Sequence, residues 1–472
     1  MGGAGDTMIS PERSGLLKDF LGSLPEQIAA RLAQAVEVDR LIDGKMLPHE
    51  MILEGLRPAL RRAPHADRTP TPLRAFCLPF EDLFTLLPRT AKQKGRIARS
   101  SVAPAWNWVQ TILPEETRRY SADFRGHVLA GAHAEARDRA AAYWPVAAKA
   151  IRDNLADPAG ARRARQILGG DLAVADAAEM ALLLSVGEDI AQIQRILPKA
   201  LASLGDDLLW SLREIYDRLA AHMPDAAPYV AVIAMHRLAK PWEALKLPLS
   251  VSRQTKDTLI SLTDMGLVGE IIFGDMEVYC AAVHGARHPD FDAESLIDNL
   301  SRFTTLSNGI VKGMEIRRDG KWGQRLLRDR AALAEVMDGF MERAPKELAG
   351  ALPLQKSGFT GPRAADFSRP VDGERRERAL RYAKLVAGCQ PFASAASFGA
   401  SAKQACEEMR EMLRAYNEDV VRELRTATGA RRAVVESQFE LACGLTVVLL
   451  NGEEAEFLRR RGKAALQAAV AA

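Results

Sequence analysis

Glu277, Cys280, His284 and His288, followed by Asp290 and Asp292, bring metal-ligating side-chain types together in one short stretch. If one helix ran through them, spacings of three and four would place the first four on one stripe. Zinc or another transition metal would then meet a thiolate, two imidazoles and a carboxylate. Gly285 is a stop signal for that helix, however, and Pro289 biases His288 away from helical backbone, so the ligands need not converge. The stretch is therefore read as a buried Cys280 followed by surface histidines, with no metal and no cofactor.

Other arrangements that could do chemistry are sparse. His49, His65, His127, His133, His222 and His236 have no Ser, Cys or Asp at a telling spacing. Asp206-Asp207 before Leu208-Leu209 could supply a paired acid and base, but it reads better as the acidic start of a helix, where the backbone dipole favours negative charge. Phosphate-binding loops, dinucleotide fingerprints, nucleophile elbows, His-Glu-x-x-His and Glu-x-x-His motifs and EF-hand loops are all missing from the sequence, which disfavours the common nucleotide, hydrolase and di-iron chemistries. Cys77, Cys280, Cys389, Cys406 and Cys443 never form Cys-x-x-Cys and read as buried thiols.

Charge gives a more definite pattern. Between residues 55 and 105 ten Lys or Arg face only Asp67, Glu81 and Asp82. Within that span Arg89, Lys92, Lys94, Arg96 and Arg99 fall in eleven residues without an acid, and are expected to form an exposed loop beside a helix starting at Ser100 or Ser101. A second cluster, Arg317, Arg318, Lys321 and Arg325 with Arg328 and Arg330, surrounds Trp322 across an Asp319-Gly320 turn. Clustered cations beside aromatics can hold acidic protein surfaces, phosphates or anionic headgroups. The two helices around Gly169-Gly170 are not a DNA reader, because Ala173, Val174, Ala177 and Ala178 offer bases nothing to bond.

The elements that must position these residues are helices. Apolar residues recur at three and four almost everywhere, as in Leu16, Leu17, Phe20, Leu21 and Leu24 after Ser10-Pro11, with Gly or Pro at the ends. Phe76 to Leu87 reads as a short apolar helix, and Pro145 should break or kink the segment that carries Trp144. Residues 1–113 form an N-terminal helical region with the basic loop, 114–352 a helical array and 353–373 a Pro/Gly-punctuated linker. Residues 374–472 form a C-terminal antiparallel bundle that should fold alone. The fold class is therefore all-α: a multi-helix, irregular solenoid-like array followed by that bundle, with no repeat of fixed period.

At 472 residues, 47% hydrophobic and 26% charged, the chain has ample material for more than one core. Arg outnumbers Lys 48 to 16, which points to a GC-rich, bacterial genome. No secretion signal is read near the start, and the longest apolar run, Leu441 to Leu450, is about half of a bilayer span, so a cytoplasmic protein is expected. The sequence supports a non-enzymatic helical scaffold or adaptor that binds a protein partner, and its basic surface suits an acidic one. The rivals are an all-α enzyme or small-molecule or metal binder with a site near Cys280–Asp292, and a binder of nucleic acid or anionic surfaces.

Overall fold

The computed structural model describes residues 11–25, 28–29, 32–33, 35–36, 48–62, 70–86, 91–252, 257–286, 288–356 and 363–471. The fold is all-α, and the sheets among the described residues are two short two-stranded ladders. The chain divides into two compact units: Met1–Glu81 with Ala98–Lys199, and Asp82–Ile97 with Ala200–Ala472. These breaks differ from the sequence-based boundaries at 113 and 353–373.

In the first unit, α1 (Pro11–Ser23) and α2 (His49–Arg62) pack together around Leu21, Ala29, Ala33, Leu56 and Ala59. The expected five-residue stripe on α1 is too wide for one face. Leu17, Leu21 and Leu24 turn to the core, whereas Leu16 and Phe20 stay exposed. Next come α3 (Pro72–Cys77), α4 (Val102–Ile112), α5 (Pro114–Leu129), α6 (His133–Ala156), α7 (Pro158–Leu168), α8 (Asp171–Ser185) and α9 (Gly187–Ile196). Helix α7 shows how local sequence sets the element. Asp157 accepts from the Gly160 amide at 2.8 Å, Pro158 occupies the first turn, Gly160, Ala164 and Leu168 bury at spacings of four, and Gly169 ends the helix at φ 90°.

Helix α6 runs through Pro145, so the expected break is absent. Tyr143, Trp144, Ala147 and Ala148 flank the proline and are all buried, and that packing carries the helix past the hydrogen bond proline cannot make. The Phe76–Leu87 helix is also corrected. Helix α3 ends at Cys77, a 3₁₀ turn covers Leu78–Leu83, and Phe84–Thr85 is extended.

The second unit contains α10 (Asp206–His222), α11 (Tyr229–Arg237), α12 (Lys246–Ser252), α13 (Asp257–Ile260), α14 (Leu267–Gly285), α15 (Ala293–Gly313) and α16 (Lys321–Ala351). It continues with α17 (Gly373–Cys389), α18 (Gly399–Leu424), α19 (Gly429–Leu449) and α20 (Gly452–Ala471). Helix α11 is buried along nearly its whole length and α14 along its first two turns, as their apolar composition demands. The stretch read as a linker instead pairs Leu354–Lys356 with Arg363–Ala365 in antiparallel register. Gln438 of α19 donates to the carbonyls of Asp366 and Arg369 at 3.0 and 2.7 Å, tying the chain just after that ladder to the helices. Helix α17 packs along α15 and α16, with Tyr382 between Phe291 and Phe340 at ring separations of 4.9 and 6.1 Å. No helix among the described residues is long and apolar enough to cross a membrane.

Candidate functional site

The basic loop expected at Arg89–Arg99 is largely a packed segment; Arg89 itself lies outside the described residues. Arg96 pairs with Asp275 of α14, and both side chains are mostly buried. Gln93 donates to the Glu270 carbonyl at 3.1 Å, and Lys92 turns back to the carbonyl of Arg96 at 2.5 Å. Gly95 is buried at φ 82°, where an added Cβ would lie 2.4 Å from Ile271. At the other end of the segment, Asp82 receives Arg237 of α11 through Nε and Nη2 at 3.0 to 3.1 Å. Unpaired burial of such charge costs several kcal/mol, and pairing to carboxylates is what allows this segment to pack. Lys94 remains exposed, 3.9 Å from Asp264 and over the Tyr229 ring.

His236 of α11 lies behind this segment, with Nε2 3.5 Å from the Gly95 carbonyl. Burial and the neighbouring Arg96 hold its pKa down to about 3, so the ring is neutral near pH 7. Burial raises the Asp275 carboxyl, while the Arg96 guanidinium opposes that rise. Asp–Arg–His proximity of this kind fits a clamp, since Arg96 and Asp275 already use each other.

In the first unit Arg99 is exposed, but the helix start beside it already has an anion. Asp176 of α8, fully buried, accepts from the Ala98 amide at 3.2 Å and from the Ser101 hydroxyl at 2.7 Å. Ser101 therefore donates to α8 and does not cap α4.

The second cluster is neutralised within its own unit. Glu270 accepts from Lys321 at 2.9 Å, from the Trp322 indole at 2.8 Å and from Arg325 at 2.7 Å; Arg325 also reaches Glu277 at 2.8 Å. Arg317 pairs with Asp319 at 2.6 Å, while Arg318 is exposed. Trp322, read from the sequence as part of a cation-rich binding surface, is instead fully buried because α14 offers Gly269, which the ring approaches so closely that a Cβ there would lie 2.3 Å away. The acids on α14 are 48 to 55 positions upstream, so a local count of charge does not see them.

The Cys280 constellation disperses. Cys280 is buried with Sγ 3.9 Å from the Asp329 carbonyl, its thiol pushed up to about 11 chiefly by burial, and His284 is exposed in the last turn of α14. His288 turns to Tyr382, 2.6 Å from its hydroxyl, and to Glu347 at 3.5 Å. Asp290 faces Arg381 at 3.4 Å, Asp292 caps α15 through the Glu294 amide, and Glu277 holds Arg325. Among the described residues no group of three metal-ligating side chains converges.

Sequence reading passed over the outer face of α10. Five of the six tryptophans are buried or half-buried, whereas Trp210 is 71% exposed. Leu212, Ile215 and Leu219 anchor the opposite side of the helix. Helical spacing puts Asp206 and Asp207 one turn before Trp210, and Glu214 and Asp217 one and two turns after it. All four acids are exposed, and Asp217 lies 3.6 Å from Arg213. The first two occupy the opening turn of α10, as expected of helix-starting acids. The signal was available in the sequence as an aromatic on the polar side of a clear amphipathic stripe.

Set against models of known protein families, curated proteins and solved structures, the chain matches none.

Proposed function

We propose that this chain is a helical scaffold or adaptor that holds a protein partner, and that the outer face of α10 is a surface on which it does so. The reading rests on Trp210, a large aromatic left in water at the centre of four carboxylates. Tryptophan is the residue type most enriched where binding energy concentrates, because its ring removes a large area from water on contact. Its π face also attracts a cation, and the surrounding acids add to that attraction. The complementary partner is a segment carrying Arg or Lys. This moves the partner reading from the two basic segments, whose charges are mostly met inside their own units, to an acidic face.

The test compares retention of a defined arginine-rich peptide, and of proteins from a native extract, by the full chain and by two variants. Trp210→Ala should weaken binding by about 2 kcal/mol, the size of a central interface contact, while leaving the melting temperature within about a degree. Asp206→Asn with Glu214→Gln should reduce binding mainly at low salt, since screening removes the same attraction in the parent. Unchanged binding by Trp210→Ala, or a large fall in its melting temperature, would overturn the assignment.

A further inference from the structure

A half-open cleft of about 640 Å³ lies in the first unit between the start of α3, α4 and α5. Its volume falls in the range of small-molecule sites, and its lining is mixed in a particular way. Trp106 contributes to the wall and belongs to a fixed aromatic set in which Tyr120 and Tyr143 stack at 4.2 Å with their planes parallel. Two hydrogen bonds hold that set in place: the Tyr120 hydroxyl donates to the Pro72 carbonyl at 2.9 Å, and the Thr117 and Tyr143 hydroxyls are hydrogen-bonded to each other at 2.6 Å. One side of the cleft is therefore a rigid, largely apolar wall.

The other side is polar and cationic. Arg118, Ser121 and Arg125 recur at three and four along α5, and Gln110 faces them from α4. Arg118 is partly satisfied by Glu115 at 2.9 Å, whereas Arg125 is exposed and has no carboxylate partner among the described residues. None of the eleven lining residues is acidic. A largely apolar wall of Pro72, Leu73, Pro114 and a single, mostly buried tryptophan, facing two guanidiniums with amide and hydroxyl groups between, suits a flat apolar body ending in one anionic group.

We infer that this cleft binds a small organic anion of that kind, an aromatic carboxylate, sulfonate or phosphate ester, with the ring against Trp106 and the anion at Arg125. The site is independent of the α10 face and of the partner proposed for it.

The probe is anilinonaphthalene sulfonate, compared with uncharged phenylnaphthylamine, titrated into the full chain by calorimetry. One sulfonate should bind per chain, and the uncharged amine more weakly. Arg125→Gln should weaken the sulfonate about tenfold, as loss of a charge-assisted hydrogen bond does, and leave the amine unchanged. Ala122→Trp, which adds a ring at an exposed position in the cleft, should abolish binding of both without lowering the melting temperature. Arg163→Gln, on α7 outside the cleft, should change neither. The inference fails if the amine binds as tightly as the sulfonate, if Arg125→Gln matches Arg163→Gln, or if Ala122→Trp still binds the dye.

Discussion

Arg96 and Lys94 sit two positions apart, yet the structure gives them opposite roles. Arg96 is paired with Asp275 in a mostly buried setting, whereas Lys94 lies outside over Tyr229. Arg96→Ser should destabilise the chain by about 2–4 kcal/mol in chemical denaturation, because it strands Asp275, while Lys94→Ser should stay within about 0.5 kcal/mol. Adding Asp275→Asn to Arg96→Ser should recover part of the loss, since a neutral amide is cheaper to leave buried than a carboxylate. His236 gives a pH signature. Its pKa is about 3 when folded against 6.5 when unfolded, so the unfolded chain takes up the proton first as pH falls. The stabilising contribution is complete above about pH 6.5 and is lost as pH drops toward 3. Between pH 7 and pH 5 the parent should lose about 1–2 kcal/mol more than His236→Gln, measured by urea unfolding at each pH. The five cations were legible in the sequence. That Arg96 had a carboxylate waiting 179 positions later was not, because spacing reports neighbours on one helix and not on facing helices.

Helix type was the most legible level, since apolar residues at three and four survive any tertiary arrangement. What spacing alone could not supply was how neighbouring elements modify one another. Pro145 stays inside α6 because buried neighbours on both sides hold the turn, and Trp322 disappears into the core because Gly269 on α14 leaves room for its ring. Gly269→Ala should therefore cost about 1–3 kcal/mol even though alanine is the better helix former, since Trp322 cannot yield without releasing its bond to Glu270. A rise in melting temperature would show that the indole has slack. Trp210 is the converse case: α10 already buries Leu212, Ile215 and Leu219, so propensity and packing are satisfied without the tryptophan.

At the scale of the whole molecule, composition and periodicity established an all-α chain with more than one core, but not where the units divide. Pro353 to Gly373 has the make-up of a linker, and composition does not reveal that α17 packs on α15 and α16 or that Gln438 ties in the chain beyond the ladder. A fragment of residues 373–472 would uncover the buried row Ala379, Tyr382, Leu385, Val386 and Cys389. It should melt without a cooperative transition by circular dichroism, whereas residues 293–472, which restore α15 and α16, should melt cooperatively. Cooperative melting of the shorter fragment would return the boundary to 373.

The division at residues 82–97 also bears on the order in which the chain leaves the ribosome. This segment is synthesised among residues of the first unit, but the partners that hold it, Arg237 and Asp275, come more than a hundred residues later. At the synthesis rates typical of cells, that is a delay of about ten seconds or more. During that interval Lys92, Lys94 and Arg96 trail as an unclamped cationic tether, and a nascent chain stalled near residue 199 would carry it permanently. Until α14 emerges to collect it, such a tether is open to any anionic surface and to proteases, because its charges have no carboxylate to meet them.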